Sequence, residues 1–269
     1  MPVLQRQRHF IHYETRGDAA KPPLLLIMGL ALSSNAWDRL PEILSEHFHV
    51  LVFDNRGTGK SARVGRAYRM RDLADDAAAV IEAAGAHSAH VFGISMGGMI
   101  AQELALRHPA RVRSLALGCT FASWRRAKAP TWRTKLDLLM LNLGRVSPDI
   151  IARILVSSEW HESNPGAALE WIRRAEHTKL RYATAQMLAI ARHHALPRLS
   201  QIRAPTLVIT GDADRLVPPE NSRVLARSIP GARLLLLPGA GHCFPLEREA
   251  ETVQALRHHF LGSEIRAAG

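Results

Sequence analysis

The chain has 269 residues, with 35 Lys and Arg against 24 Asp and Glu, so its formal net charge is +11 with His neutral. Hydrophobic residues make up 47% of it, which excludes global disorder, and 18 Gly with 2 Cys exclude collagen-like and disulfide-scaffold chains. The charge is the unusual feature, and taken alone it asks for a polyanion, an anionic membrane or an acidic substrate.

In chain order, the expected strands are Phe10–Tyr13, Leu24–Met28, Val50–Asp54, His90–Gly93, Ser114–Leu117, Thr206–Thr210 and Arg233–Leu237. Most are near-continuous apolar runs, the mark of strands covered on both faces. Helical patterns fall between them at Ala36–His47, Arg71–Ala84, Met96–His108, Pro219–Ser228 and Glu247–Phe260. Alternation of this kind predicts an α/β fold with a mainly parallel sheet flanked by helices. It breaks between Phe121 and Arg198, where the pattern is helical without a good strand. The expected organisation is a sheet core over 1–120 and 199–269, interrupted by a helical cap, or lid, over 121–198. The longest apolar run, Leu24–Leu32, is too short to span a membrane. Without an apolar leader or a CxxC pair, a reduced cytoplasmic protein is expected.

Gly93-Ile94-Ser95-Met96-Gly97 is the strongest local signal. It sits between a strand pattern and a helix pattern, the setting a nucleophile elbow requires. The turn places Ser95 at a helix N-terminus, where the field favours developing negative charge. A serine hydroxyl needs a base, and the base needs an orienting partner. Two later strand ends offer both: Gly211-Asp212-Ala213-Asp214 and Gly239-Ala240-Gly241-His242. The first of these carries two candidate acids, Asp212 and Asp214. The stretch Asp54–Ser61 ends like a phosphate-binding loop, but Asp54 stands where that motif demands Gly.

These motifs, with Met28-Gly29-Leu30 and Asp54-Asn55-Arg56-Gly57-Thr58-Gly59-Lys60-Ser61, resemble those of the α/β-hydrolase superfamily over nearly the whole chain. The resemblance implies the α/β-hydrolase fold and a Ser95–His242–Asp214 triad. It implies an oxyanion hole from the backbone N–H groups of Leu30 and Met96. Asp54 and Arg56 would fix a loop beside the site. At Met28-Gly29 the chain departs from the His-Gly that many members carry. Within the superfamily the chain looks most like small bacterial carboxylesterases, methyl-ester esterases and enol-lactonases. Thioesterases, carbon–carbon bond hydrolases and cofactor-free haloperoxidase-like enzymes share its motifs. Neither metal nor cofactor is implied.

Four of the five Trp, at 124, 132, 160 and 171, lie in the expected cap, and each is a candidate wall for an apolar acyl group. The same stretch carries 13 basic and 6 acidic residues, so most of the net charge is concentrated there. Arg125, Arg126, Lys128, Arg133 and Lys135 form a short basic cluster. It reads as a solvated face or as a rim that attracts an anionic ester or an acidic acyl carrier protein. With no reading motif for bases, nucleic acid is not an expected partner.

Overall fold

The computed structural model describes residues 3–6, 9–62, 67–142, 149–175, 178 and 180–267. Parts of the expected cap, at 143–148, 176–177 and 179, lie outside the described residues.

Eight strands form one sheet: β1 (Val3–Arg6), β2 (His9–Arg16), β3 (Pro23–Ile27), β4 (His49–Phe53), β5 (Ala89–Ile94), β6 (Val112–Gly118), β7 (Thr206–Gly211) and β8 (Arg233–Leu237). Their order across the sheet is β1-β2-β4-β3-β5-β6-β7-β8. The first two pairings are antiparallel and the remaining five are parallel. The seven strands expected from the sequence are all present, and β1 is an addition. Its Val-Leu-Gln-Arg sequence is short and half exposed, an edge strand without a long apolar run.

Eleven helices are described: α1 (Leu40–Ser45), α2 (Met70–Ala83), α3 (Met96–Arg107), α4 (Trp132–Asn142), α5 (Asp149–Leu155), α6 (Ser158–Ser163), α7 (Ala167–Arg174), α8 (Leu180–Ala191), α9 (Glu220–Ser228), α10 (Phe244–Glu247) and α11 (Glu249–Ala267). The sequence predicts one helix over Ala36–His47. The structure divides it into a 3-10 turn at Ser34–Trp37 and α1, because Asp38 takes a left-handed φ of 51° and Pro41 sits in the first turn. Likewise the helix expected at Glu247–Phe260 is two helices, α10 and α11.

The sheet separates two cores, which explains why its central strands are near-continuous apolar runs. In β3, Leu24 and Leu26 pack with Trp37, Leu44, Leu256 and Phe260. Leu25 and Ile27 pack on the other face with Leu73, Ile81, Met99 and Leu104. Alternating side chains thus enter opposite layers. All four leucine and isoleucine side chains are fully buried, and each contributes about 1.5–3 kcal/mol relative to exposure. The five helices α4–α8 follow β6 and precede β7, which are neighbours in the sheet. Among the described residues no helix is long and apolar enough to cross a membrane.

Candidate functional site

The carboxyl ends of β5, β6, β7 and β8 converge on one place, as ligand-bearing loops do in parallel sheets. Ser95 follows β5 with φ 54° and ψ −120°, a strained conformation for a residue with a side chain. Gly93 and Gly97 make that turn possible. A Cβ at Gly93 would lie 2.3 Å from the carbonyl oxygen of Gly97, and a Cβ at Gly97 would lie 1.9 Å from that of Ile27. Only glycine at both positions lets α3 start this close to β3 and β5.

The end of β6 clamps the serine backbone. The Ser95 N–H donates to Gly118 O at 2.9 Å, and the Thr120 hydroxyl donates to Ser95 O at 2.7 Å. Between those two contacts stands Cys119, fully buried, with φ 40°. Its sulfur, a His242 ring nitrogen and an Asp214 carboxylate oxygen all lie within 4.8 Å of one another. The three named residues of the expected triad therefore surround one turn, Gly118–Thr120. Ser95 is half-buried, and no hydrogen bond links its hydroxyl to His242 among the described residues.

Asp214 and His242 form a buried pair, with Nδ1 of the imidazole 2.8 Å from Oδ2 of the carboxylate. The other oxygen, Oδ1, accepts the N–H groups of Leu216 and Val217, both at 2.8 Å. Burial alone would disfavour the imidazolium. The Asp214 carboxylate and the Cys119 sulfur outweigh it and hold His242 well above the ordinary histidine range. With Nδ1 committed to Asp214, the Cys119–Asp214–His242 group reads as a hydrogen-bonded cluster rather than a set of open metal ligands. The alternative acid, Asp212, is exposed and accepts the Gly239 N–H at 2.7 Å, bracing the loop that carries His242.

Leu30 follows Gly29, whose Cβ position would lie 3.3 Å from Ser95 Cβ and 3.8 Å from Ser95 Oγ. The backbone N–H groups of Leu30 and Met96 have no hydrogen-bond partner among the described residues. Asp54 holds the neighbouring turn: its carboxylate accepts from Ser34 N at 2.7 Å, Ser34 Oγ at 2.9 Å and Lys60 N at 2.8 Å. Arg56 forms a two-pronged ion pair with the buried Asp76 of α2. This stretch is thus built as a brace for the loop.

The tryptophans stand in four different environments. Trp171 is buried and donates its Nε1 proton to Ala36 O at 3.1 Å. Trp160 is half-buried, whereas Trp124 and Trp132 are 50% and 68% exposed. Trp171 lines a small cavity with Trp37, Asp38, Ile94, Cys243 and Glu249, of which Ile94 precedes Ser95 in the chain and Cys243 follows His242. It encloses about 30 Å³, enough for one water. A wider depression of about 700 Å³ lies at Lys21–Pro23, His49, His87 and Arg113. That is the amino end of the strands, opposite the site. All five residues of the basic cluster are exposed.

Three contributors escape sequence reading. Cys119 is one, although its place just past the run Ser-Leu-Ala-Leu-Gly was a usable signal for a strand-end position. Glu247 is another. It is buried, accepts Gly241 N at 2.9 Å and Ser157 N at 3.0 Å, and burial raises its pKa. It ties the His242 loop to the start of α6, a link that Cys243 N to Leu155 O at 2.7 Å reinforces. Gln186 of α8 is the third.

A family profile described as serine aminopeptidase, S33, matches residues 18–249. A protein named as a carbamate hydrolase, RutD, from Pseudomonas syringae pv. syringae is 31% identical over 93% of this chain and 96% of its own. The rhodomycin D methylesterase DauP of Streptomyces sp. strain C5 is 32% identical over 93% of this chain and 94% of its own. Among solved structures, the enol-lactonase from Burkholderia xenovorans LB400 superposes with a TM-score of 0.84 at 26% identity, over 97% of this chain and all of that one.

Proposed function

Because this chain belongs to the serine aminopeptidase S33 family of α/β hydrolases, we propose that it cleaves carboxylic esters through an acyl-enzyme on Ser95. Ser95 Oγ attacks the ester carbonyl while His242 Nε2 takes its proton. Asp214 holds the imidazole tautomer through Nδ1 and stabilises the cation that forms. The N–H groups of Leu30 and Met96 receive the tetrahedral oxyanion. His242 then protonates the leaving alcohol, and a water activated by the same imidazole releases the acid and restores Ser95.

One observation carries this reading: the buried His242–Asp214 hydrogen bond of 2.8 Å around the turn that clamps the strained Ser95 backbone. Esters as the substrate class draw support from the methylesterase and enol-lactonase likenesses. A second reading, carbamate hydrolysis, draws on the RutD likeness and uses the same attack on a carbonyl carbon.

The test is turnover of a panel of p-nitrophenyl esters, lactones, thioesters and carbamates by the wild type, Ser95→Ala and His242→Ala. The expected outcome is a loss of about 10⁴-fold or more in either variant, with short esters the best substrates. Unchanged turnover in Ser95→Ala sinks the mechanism, and a carbamate preference selects the second reading.

A further inference from the structure

We infer that Gln186 of α8 is a positioning residue for the oxyanion donor Leu30, so that the helical segment completes the catalytic site. The inference rests on the hydrolase reading above and adds a component to it.

Ala31, the residue after Leu30, has φ 61°, a left-handed conformation that is strained for a non-glycine residue. Such a backbone persists only where its surroundings hold it. Here both backbone groups of Ala31 are taken by the segment between β6 and β7. Its N–H donates to Gln186 Oε1 at 2.8 Å, and its C=O accepts from Thr178 N at 3.0 Å. On the other side of Leu30, Asn55 Nδ2 donates to Met28 O at 3.1 Å. Leu30 is therefore held at both ends, and its own N–H stays free.

Gln186 is fully buried, and its amide orientation is fixed without ambiguity. Ala31 N–H can only donate, so it faces the amide oxygen. Arg56 O can only accept, and Gln186 Nε2 donates to it at 3.1 Å. Arg56 is anchored by Asp76 of α2. Thr178 Oγ1 adds a bond to Gly57 O at 2.9 Å. The result is a continuous brace from α2 through Arg56 and Gln186 to the Leu30–Ala31 backbone. Displacing α8 would release the oxyanion donor, so catalysis and the seating of this helix are coupled.

Gln186→Met keeps the length and removes both hydrogen bonds. It should lower kcat by about 10- to 100-fold, less than the 10²–10³ typical of losing a donor outright, with KM nearly unchanged. Labelling of Ser95 by a fluorophosphonate should slow in parallel, because the phosphonyl oxygen occupies the same hole. A kcat within about twofold of wild type, or a loss confined to KM, overturns the inference. Should Gln186→Met fail to fold, Gln186→Glu decides. Its protonated form offers the same acceptor to Ala31 N–H and an O–H donor to Arg56 O. The titratable group facing it is the Tyr68 hydroxyl, which burial pushes up to about 12, and the Arg56 guanidinium over the Tyr68 ring is already paired with Asp76. Activity relative to wild type should therefore rise as pH falls, and a flat ratio overturns the inference. Ser95→Ala, run alongside, keeps the two questions apart. If it retains turnover the hydrolase reading fails, and if it does not, the Gln186 result bears on the brace alone.

Discussion

The sheet and the helical segment between β6 and β7 build the site in different ways. The sheet presents Ser95, Asp214 and His242 from strand ends, each within a few residues of a glycine-rich turn. Backbone ladders between neighbouring strands set their spacing. The helical segment offers no such repeat. It meets the site through isolated bonds, most of them between a side chain and a backbone group: Gln186 to Ala31 and Arg56, Thr178 to Gly57, Trp171 to Ala36, and Ser157 to Glu247. Each strand-end residue sits in a short motif of its own, whereas the bonds from the helical segment join residues 90 to 155 positions apart in the chain.

The largest effect that sharpens this contrast comes from the sheet side. In Asp214→Asn, the N–H groups of Leu216 and Val217 keep the amide oxygen where Oδ1 now sits. The NH₂ group then faces His242 Nδ1 and makes that nitrogen an acceptor. The proton moves to Nε2, which can no longer take one from Ser95. Ester kcat should fall by about 10⁴-fold, as wrong-tautomer variants of such triads do. The pH profile gives an independent check. In the proposed mechanism His242 must be neutral to act as a base, and its pKa is held above the ordinary 6.5. The acid limb of wild-type kcat/KM should therefore have its midpoint above 6.5. A midpoint at or below 6.5 contradicts the buried pairing with Asp214.

A smaller effect concerns stability, and here the core histidines decide the sign. His193 and His259 are each lowered to about 4, chiefly by burial. Both are neutral in the fold between pH 4 and 6.5, while the unfolded chain takes up protons there. Each therefore costs stability as pH falls from 6.5 towards 4, by up to about 3 kcal/mol. His242 works oppositely: its raised pKa adds stability below 6.5 that is lost as pH rises through the folded value. Thermal melts of His193→Gln and His259→Gln should lose less stability on acidification than the wild type. Identical acid sensitivity in all three would place the effect elsewhere. His259, whose Nε2 lies 3.0 Å from Leu115 O, reports on the sheet. His193, beside Gln102 Oε1 at 3.4 Å and joining Trp124 N through its own carbonyl, reports on the seam with the helical segment.

How much was legible beforehand follows the same division. The central strands could be read because burial on both faces forces near-continuous apolar runs, as in Leu24–Ile27 of β3 and Val50–Phe53 of β4. The elbow could be read because two glycines are sterically required. Asp38 could not, since nothing local marks a left-handed aspartate that ends a turn. Nor could Gln186, Glu247 or Asp76: each is an ordinary polar residue in a helical pattern until the partner 6 to 155 residues away is known. The cap tryptophans show the limit from the other side. Composition gathers them in one stretch, but whether a Trp faces a cavity or water depends on helix phase, and Trp171 and Trp132 fall on opposite outcomes.

The smallest expected effect lies on the helical segment's surface. Arg125, Arg126, Lys128, Arg133 and Lys135 are exposed, and Arg133 stacks over Trp132 at 5.4 Å. Exposed charges act through a field that salt screens within about 10 Å at 0.1 M, so any pull on substrate is modest and ionic-strength dependent. Replacing Arg125, Arg126 and Lys128 by Gln leaves Ser95 and its braces untouched. If the cluster guides an anionic ester or an acidic carrier, KM for an anionic ester should rise about two- to fivefold at low salt, and the gap should close at high salt. A neutral ester of the same size should show no change. An equal effect on KM for both esters would make the cluster a solvated face and leave the positive charge with no part in substrate choice.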